Sequence, residues 1–234
     1  MFTGLIREIG RLRGIAPRGG VTRLDIEAPR TTRDAAVGDS IAVGGICLTV
    51  TAVSGRVFSV EAASETRRLT TLRHWRPGDR LHLEPALRAG DPLDGHLVQG
   101  HVDGVGTVRK VRRAGGSLLV TVDLPRELAV YLTPKGSVAV DGVSLTVDEG
   151  PFDRGFTVNL IPHTLDWTTF GDVKTGRRVN LEMDVMVKAA RGSGDLVLPG
   201  IGAAPSAENE KKPRWTLERL LAKGFSRRKS QRNG

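Results

Sequence analysis

A stretch of thirteen residues occurs twice in this chain, and that repetition restricts the fold more than any other feature of the sequence. GDSIAVGGICLTV (residues 38–50) returns as KGSVAVDGVSLTV (residues 135–147). The surrounding segments return in the same order: FTGLIREIGRL (2–12) as VQGHVDGVGTV (98–108), SETRRLTTL (64–72) as PHTLDWTTF (162–170), and PGDRLHLE (77–84) as TGRRVNLE (175–182). Four collinear matches at offsets of 96 to 98 residues mark an internal duplication. The chain therefore divides into residues 1–96 and 97–188, each large enough for one small core. Hydrophobic residues make up 39% of the sequence and aromatic ones only 4%, so Val, Leu and Ile must build those cores.

Each copy reads as β-structure. SIAV, CLTVTAV and VFSVEA cluster or alternate β-branched residues between glycine-containing turns. Gly44-Gly45 and Asp141-Gly142 suit two-residue hairpins, because Gly and Asp tolerate positive φ. Residues 127–132 and the ETRR and HTLD segments each allow one or two helical turns. Short antiparallel strands in this arrangement close into barrels or sandwiches, so the class is all-β. After Asp184 the pattern changes. Residues 186–213 are rich in Gly, Ala, Pro and Ser and read as a poor helix or strand, with 189–213 a linker-like insertion. Within 214–234, WTLERLLAKGF places Leu217, Leu220 and Leu221 on one helical face before a basic end.

Charge argues against the partner it first suggests. The net charge is +9, but residues 205–234 hold nine Lys and Arg against three Asp and Glu, leaving +3 for the other 204 residues. The basic character belongs to a tail. A sheet that binds RNA also wants exposed aromatics among its cations, and this chain has three Trp and one Tyr. Nucleic acid is not an expected partner. One cysteine allows neither a disulfide framework nor a cysteine-based metal site within a chain, and no apolar run is long enough to span a bilayer. A cytoplasmic protein with no membrane association is the expectation.

Positions where the copies differ are candidates for chemistry. Cys47 corresponds to Ser144, Leu5 to His101 and Gly44 to Asp141. Each has a bland alternative: Cys47 as a small buried hydrophobe, His101 as a turn residue with a satisfied ring, Asp141 as turn chemistry. Spacing does not choose between these.

The start MFTGLIREIG, the pair ICLTV and VSLTV, the run GHLVQGHVDGVGTV and the segment IPHTLDWTT together resemble the riboflavin synthase family, α-chain type, in order across residues 1–188. The resemblance implies two tandem six-stranded antiparallel Greek-key barrels, a C-terminal helix, a homotrimer and association with lumazine synthase. It implies a four-carbon transfer between two molecules of 6,7-dimethyl-8-ribityllumazine, a transferase reaction yielding riboflavin and 5-amino-6-(ribitylamino)uracil with no cofactor and no metal. Carried over by position, one substrate site is implied to hold Cys47, Leu48, Thr49, Glu61, Ala62, Ala63, Ser64, Glu65, Thr66, Gly100, His101 and Val102, with Lys135 from a neighbouring subunit. The other is implied to hold Gly4, Leu5, Ile6, Ser144, Leu145, Thr146, Ile161, Pro162, His163, Thr164, Leu165 and Asp166. Cys47 and His101 are the implied catalytic pair, with Ser40, Asp141, Ser144, Thr146 and Asp184 in support.

The chain departs from the family pattern at three places. Gly44 stands where Asn is usual, and Arg67 where Leu is usual. The segment resembling the assembly helix, residues 215–225, is displaced beyond the linker-like stretch. An alternative of the same ancestry is a non-catalytic antenna protein that holds one lumazine or flavin. Such a protein would be expected to lose the polar groups retained here.

Overall fold

The computed structural model describes residues 1–152 and 154–192. Strands β1 (Glu8–Arg18), β2 (Val21–Glu27), β3 (Ser40–Val43), β4 (Ile46–Ser54), β5 (Val57–Ala63) and β6 (Arg80–Pro85) close a barrel in the spatial order β1-β2-β5-β4-β3-β6. Strands β7 (Gly104–Ala114), β8 (Ser117–Asp123), β9 (Ser137–Val140), β10 (Val143–Phe152), β11 (Gly155–Leu160) and β12 (Arg178–Met183) close a second barrel with the same connectivity. Among the described residues every strand pairing is antiparallel, and the return of the fifth strand to lie beside the second gives the Greek-key path. Closure leaves neither sheet with an open edge.

Alternation sets which way each strand faces. VTRLDIE and SLLVTVD, the second strands of the two copies, both alternate half-buried and buried side chains. The inward sets form two separate cores, one around Phe58, Leu24 and Leu83, the other around Phe156, Leu160 and Leu181. The expected hairpins are present. Val43 pairs with Ile46 and Val140 with Val143, and all four intervening residues have positive φ.

Short helices occupy the expected places. Helix α1 (Ser64–Leu69) follows β5, α2 (Arg126–Ala129) follows β8 and α3 (Pro162–Trp167) follows β11. One expectation is corrected. The segment after Asp184, read as a poor helix former, carries α4 (Val185–Gly192), so residues 189–192 are helical rather than linker. Asp184 caps this helix by accepting the Met186 N–H at 2.8 Å. Lys188 anchors it by donating to both carboxylate oxygens of Asp103, at 2.9 and 3.0 Å. The helix expected at 215–225 and the rest of the linker-like stretch lie outside the described residues.

The barrels meet around an approximate twofold axis. A third cluster, Phe2, Ala42, Val98 and Ala139, sits between them with Phe2 wholly buried. At the axis the hairpin glycines touch: a Cβ on Gly45 would lie 2.6 Å from the Gly142 nitrogen, so neither position admits a side chain without parting the barrels. Two buried side chains make matching bridges beside them. Asn180 donates to the Gly44 carbonyl and accepts the Thr71 N–H, both at 2.8 Å. Its counterpart His82 contacts the Asp141 carbonyl through Nδ1 at 2.9 Å and accepts the Thr169 N–H on Nε2 at 2.8 Å. Those partners require a neutral ring with its proton on Nδ1. Burial agrees, lowering the His82 pKa to about 4.

Candidate functional site

In each copy the outward face of the third and fourth strands is the surface to which the candidate residues belong. Ser40 pairs with Thr49 and Ala42 with Cys47. Cys47 is half-buried and Thr49 exposed, while Leu48 between them points into the core. The second barrel repeats this: Ser137 pairs with Thr146 and Ala139 with Ser144, with Leu145 turned inward. Leu48, Leu145 and the buried Ala62 therefore present only backbone to a ligand. Continuing the register of β4 with β5 sets Thr49 beside Glu61 and Cys47 beside Ala63, where α1 begins. The same continuation of β10 with β11 sets Ser144 beside Ile161 and brings α3 to the second face.

Each face is completed by the opposite copy. Cys47 N–H donates to the Gly100 carbonyl at 2.9 Å, and Ser144 N–H donates to the Gly4 carbonyl at 2.8 Å. The approach is too tight for any residue but glycine. A Cβ on Gly100 would lie 2.6 Å from Cβ of Cys47, and one on Gly4 would lie 2.6 Å from Cβ of Ser144, at φ of 77° and 79°. Beyond these contacts, Val102 packs on the first core and Ile6 on the second. A buried carboxylate at the end of each sixth strand holds these crossing segments. Glu84 accepts the N–H groups of Thr3 and Gly4, at 2.7 and 2.9 Å. Glu182 accepts those of Gln99 and Gly100, at 2.6 and 2.9 Å. Burial raises the pKa of both, that of Glu182 to about 7, against the pull of these N–H donors.

The two faces thus share a frame and differ in their polar groups. The first presents the Cys47 thiol, with the exposed His101 following Gly100. The second presents Ser144, and sequence reasoning missed its partner. His96 Nδ1 lies 2.7 Å from the Ser144 hydroxyl oxygen. The residue is 8% exposed, its Nε2 has no hydrogen-bond partner among the described residues, and burial lowers its pKa. His96 sits in the connector between the barrels, outside the repeated segments. The duplication does not single it out for that reason, although it belongs to the run GHLVQGH.

Other expected residues are placed elsewhere. Asp141 lies at the barrel interface, where its carboxylate accepts the Asn180 N–H at 2.7 Å and meets Arg177 at 2.9 Å. Asp184 is the cap of α4, and its charge favours protonation of His96. Lys135 is exposed and paired with Asp148 at 2.7 Å. Ser64, Glu65, Ile161, Pro162, His163 and Asp166 are exposed, while Thr66, Thr164 and Leu165 are half-buried. A cleft of about 700 Å³ opens elsewhere, around Trp75, His82, Asp141 and Arg177, and of the expected residues it takes in Asp141 alone. Among the described residues no group of three or more His, Cys, Asp or Glu is placed to hold a metal ion, and no helix is long and apolar enough to cross a membrane.

The family whose pattern this geometry fits matches twice. The lumazine binding domain covers residues 3–86 and again 99–184. The chain is 42% identical to riboflavin synthase of Brucella abortus over 195 residues, covering 81% of this chain and 96% of that protein. It is 43% identical to riboflavin synthase of Mycobacterium bovis over 192 residues, covering 80% and 95%. Among solved structures, LumP complexed with riboflavin superposes with a TM-score of 0.73 at 25% identity, covering 78% of this chain and 99% of that one.

Proposed function

The chain belongs to the lumazine binding domain family, and from that premise we propose that it is a riboflavin synthase. Two molecules of 6,7-dimethyl-8-ribityllumazine enter, one passes a four-carbon unit to the other, and riboflavin and 5-amino-6-(ribitylamino)uracil leave. The observation that carries this reading is the pair of faces, alike in backbone frame and unlike in chemistry. A dismutation asks two identical molecules to do opposite jobs, and two related pockets with different polar groups meet that demand. The lumazine ring disperses the charge left when its C7 methyl loses a proton, so the protein must orient two rings, exclude water and move protons.

In this mechanism the Gly100–Cys47 and Gly4–Ser144 contacts fix the lip of each pocket, and exposed backbone groups at β4, β5, β10 and β11 bind the ring edges. His101 moves protons at the first face. Cys47 stands beside it, directed at the electrophilic carbon of the bound ring. Ser144, oriented by His96, and Thr146 serve the second face. Ser40 supports the first, while Asp141 and Asp184 act at a distance through the barrel interface and through α4. Each face lies open on its own barrel, so the two rings stack only when the first face of one subunit meets the second face of another. The proposed assembly is a cytoplasmic homotrimer, with Lys135 reaching a neighbour's first face and lumazine synthase as an associated protein.

Purified protein incubated with 6,7-dimethyl-8-ribityllumazine alone is the test. Riboflavin absorbance should appear with no metal, nucleotide or reductant, at one product for two substrates consumed. Tight ligand binding without turnover would instead support an antenna function.

A further inference from the structure

The first barrel has a cavity of about 440 Å³ beside the start of β3 and the end of β6. Four arginines line it, Arg7, Arg30, Arg33 and Arg88, together with Asp34 and Asp39. None of the four guanidinium groups forms an ion pair among the described residues. Arg30 instead lies over the Trp167 ring, 5.5 Å from its centroid. Asp39 is engaged in its own turn, accepting the Ala36 N–H at 2.8 Å. The lining therefore carries an excess of two positive charges. The segment bearing Arg30 and Arg33 is held in place from beneath. Buried Glu8 accepts the N–H groups of Arg30 and Thr31, at 3.0 and 2.6 Å, and the Thr31 hydroxyl at 2.7 Å.

The duplication supplies an internal control. In the second barrel the positions of Arg7, Arg33, Asp39 and Arg88 are taken by Asp103, Ala129, Gly136 and Met186. The one acid among them, Asp103, is neutralised by Lys188 of α4. In the second copy Asp103 and Lys188 offset one another, whereas the first gathers four guanidinium groups around an open cavity with no ion pair among the described residues, Arg7 acting on buried Glu84 through its charge alone. Guanidinium groups match phosphate oxygens in geometry as well as charge, and an excess of two suits a dianion. The volume exceeds what a bare phosphate fills and falls within the range of small-molecule sites, roughly 300–1,000 Å³. Part of the wall is apolar, from Pro85 and Leu87.

We propose that this cavity binds a phosphomonoester, with its phosphate on Arg7, Arg33 and Arg88 and its organic part on Pro85 and Leu87. The site is additional to the two lumazine faces and touches the first of them only at Ser40, so it stands whether or not the chain turns over lumazine.

Isothermal titration of the full chain with ribose 5-phosphate tests it, with inorganic phosphate titrated in parallel. The sugar phosphate should bind saturably and more tightly than inorganic phosphate. Arg33→Glu with Arg88→Glu should weaken that binding by roughly tenfold or more, because two charge-assisted contacts are lost and reversed. Arg112→Glu with Arg113→Glu, the same charge change on exposed β7, should leave binding within about twofold, since distant exposed charges are screened. Unchanged thermal unfolding of the first double variant shows that its loss is local; if that variant unfolds early, Arg33→Gln alone must show the weakening in a folded chain. Absence of saturable binding, equal affinity for inorganic phosphate, or equal losses in the two double variants would overturn the proposal.

Discussion

The two barrels are the same object built twice, and they differ in side chains on one face, at one interface and around one cavity. At the first face the frame carries a thiol with an exposed imidazole. At the second it carries a hydroxyl hydrogen-bonded to a buried imidazole. The crossing segments, the glycine contacts and the carboxylates that hold them are common to both. Duplication followed by divergence has kept the backbone frame of each face and altered the polar groups it carries. Backbone contact explains this economy, because a hydrogen bond from Cys47 N–H or Ser144 N–H does not depend on which side chain follows.

The largest test of that asymmetry is at His101. His101→Ala should lower turnover by roughly 10²-fold or more, in keeping with the usual contribution of a positioned acid–base group, while leaving lumazine affinity within a few fold. Turnover equal to wild type would move the chemistry away from the first face. A cleaner separation comes from the glycine contacts. Gly100→Ala and Gly4→Ala each force a Cβ against the facing strand at positive φ, a strain of order 1–3 kcal/mol from backbone alone. Each should abolish one ligand site and spare the other, so equilibrium dialysis should find the lumazine stoichiometry halved in both. Loss of both sites from either change would mean that the faces are coupled through the interface.

The interface bridges differ as the faces do, and pH reads that difference. Burial holds His82 at about 4, below the 6.5 of a free imidazole, so between those values the unfolded chain binds more protons than the folded one. The stability from neutral His82 is complete above pH 6.5 and is lost as pH falls toward 4, by about 3 kcal/mol for this one group. His82→Asn, which copies Asn180, should flatten this part of the profile in chemical denaturation series measured from pH 7 to 4. An unchanged slope would assign the acid sensitivity to other groups. The smallest effect is at Lys135. Its exposed pair with Asp148 is worth about 0–1 kcal/mol, so Lys135→Ala should barely move the unfolding midpoint. It should still lower activity if this side chain serves a neighbouring subunit, and wild-type activity would confine it to its own surface.

Much of this was legible in the sequence because the relevant signals are local or repeated. The hairpins at Gly44-Gly45 and Asp141-Gly142 and the short helices after β5 and β11 follow from alternation, turn residues and the duplication; those signals leave barrel and sandwich open, and the Greek-key pair of barrels came from the family resemblance. Three features were hidden for different physical reasons. Helix α4 depends on a cap at Asp184 and an anchor from Lys188 to Asp103, and composition averaged over the glycine-rich stretch conceals both. His96 lies in the connector, outside the repeated segments, so the duplication could not single it out. His82 and Asn180 stand at matched positions within LHLE and VNLE, and the difference was visible there. Its meaning was not, because each side chain finds its partners in the opposite barrel.

The crossing of each copy's first residues onto the other has a consequence for ancestry. Segments 2–6 and 98–102 exchange places about a twofold axis, and Phe2 and Val98 pair through reciprocal bonds of 2.7 and 3.1 Å. That is the geometry of an isologous contact, in which one surface patch meets its own image. A single copy contains the donor segment, the acceptor strand and the axial glycine, so two identical half-length chains could form the same interface with no new contact. The duplicated chain has the architecture of such a homodimer made covalent. Only after fusion could one partner keep a thiol while the other kept a hydroxyl.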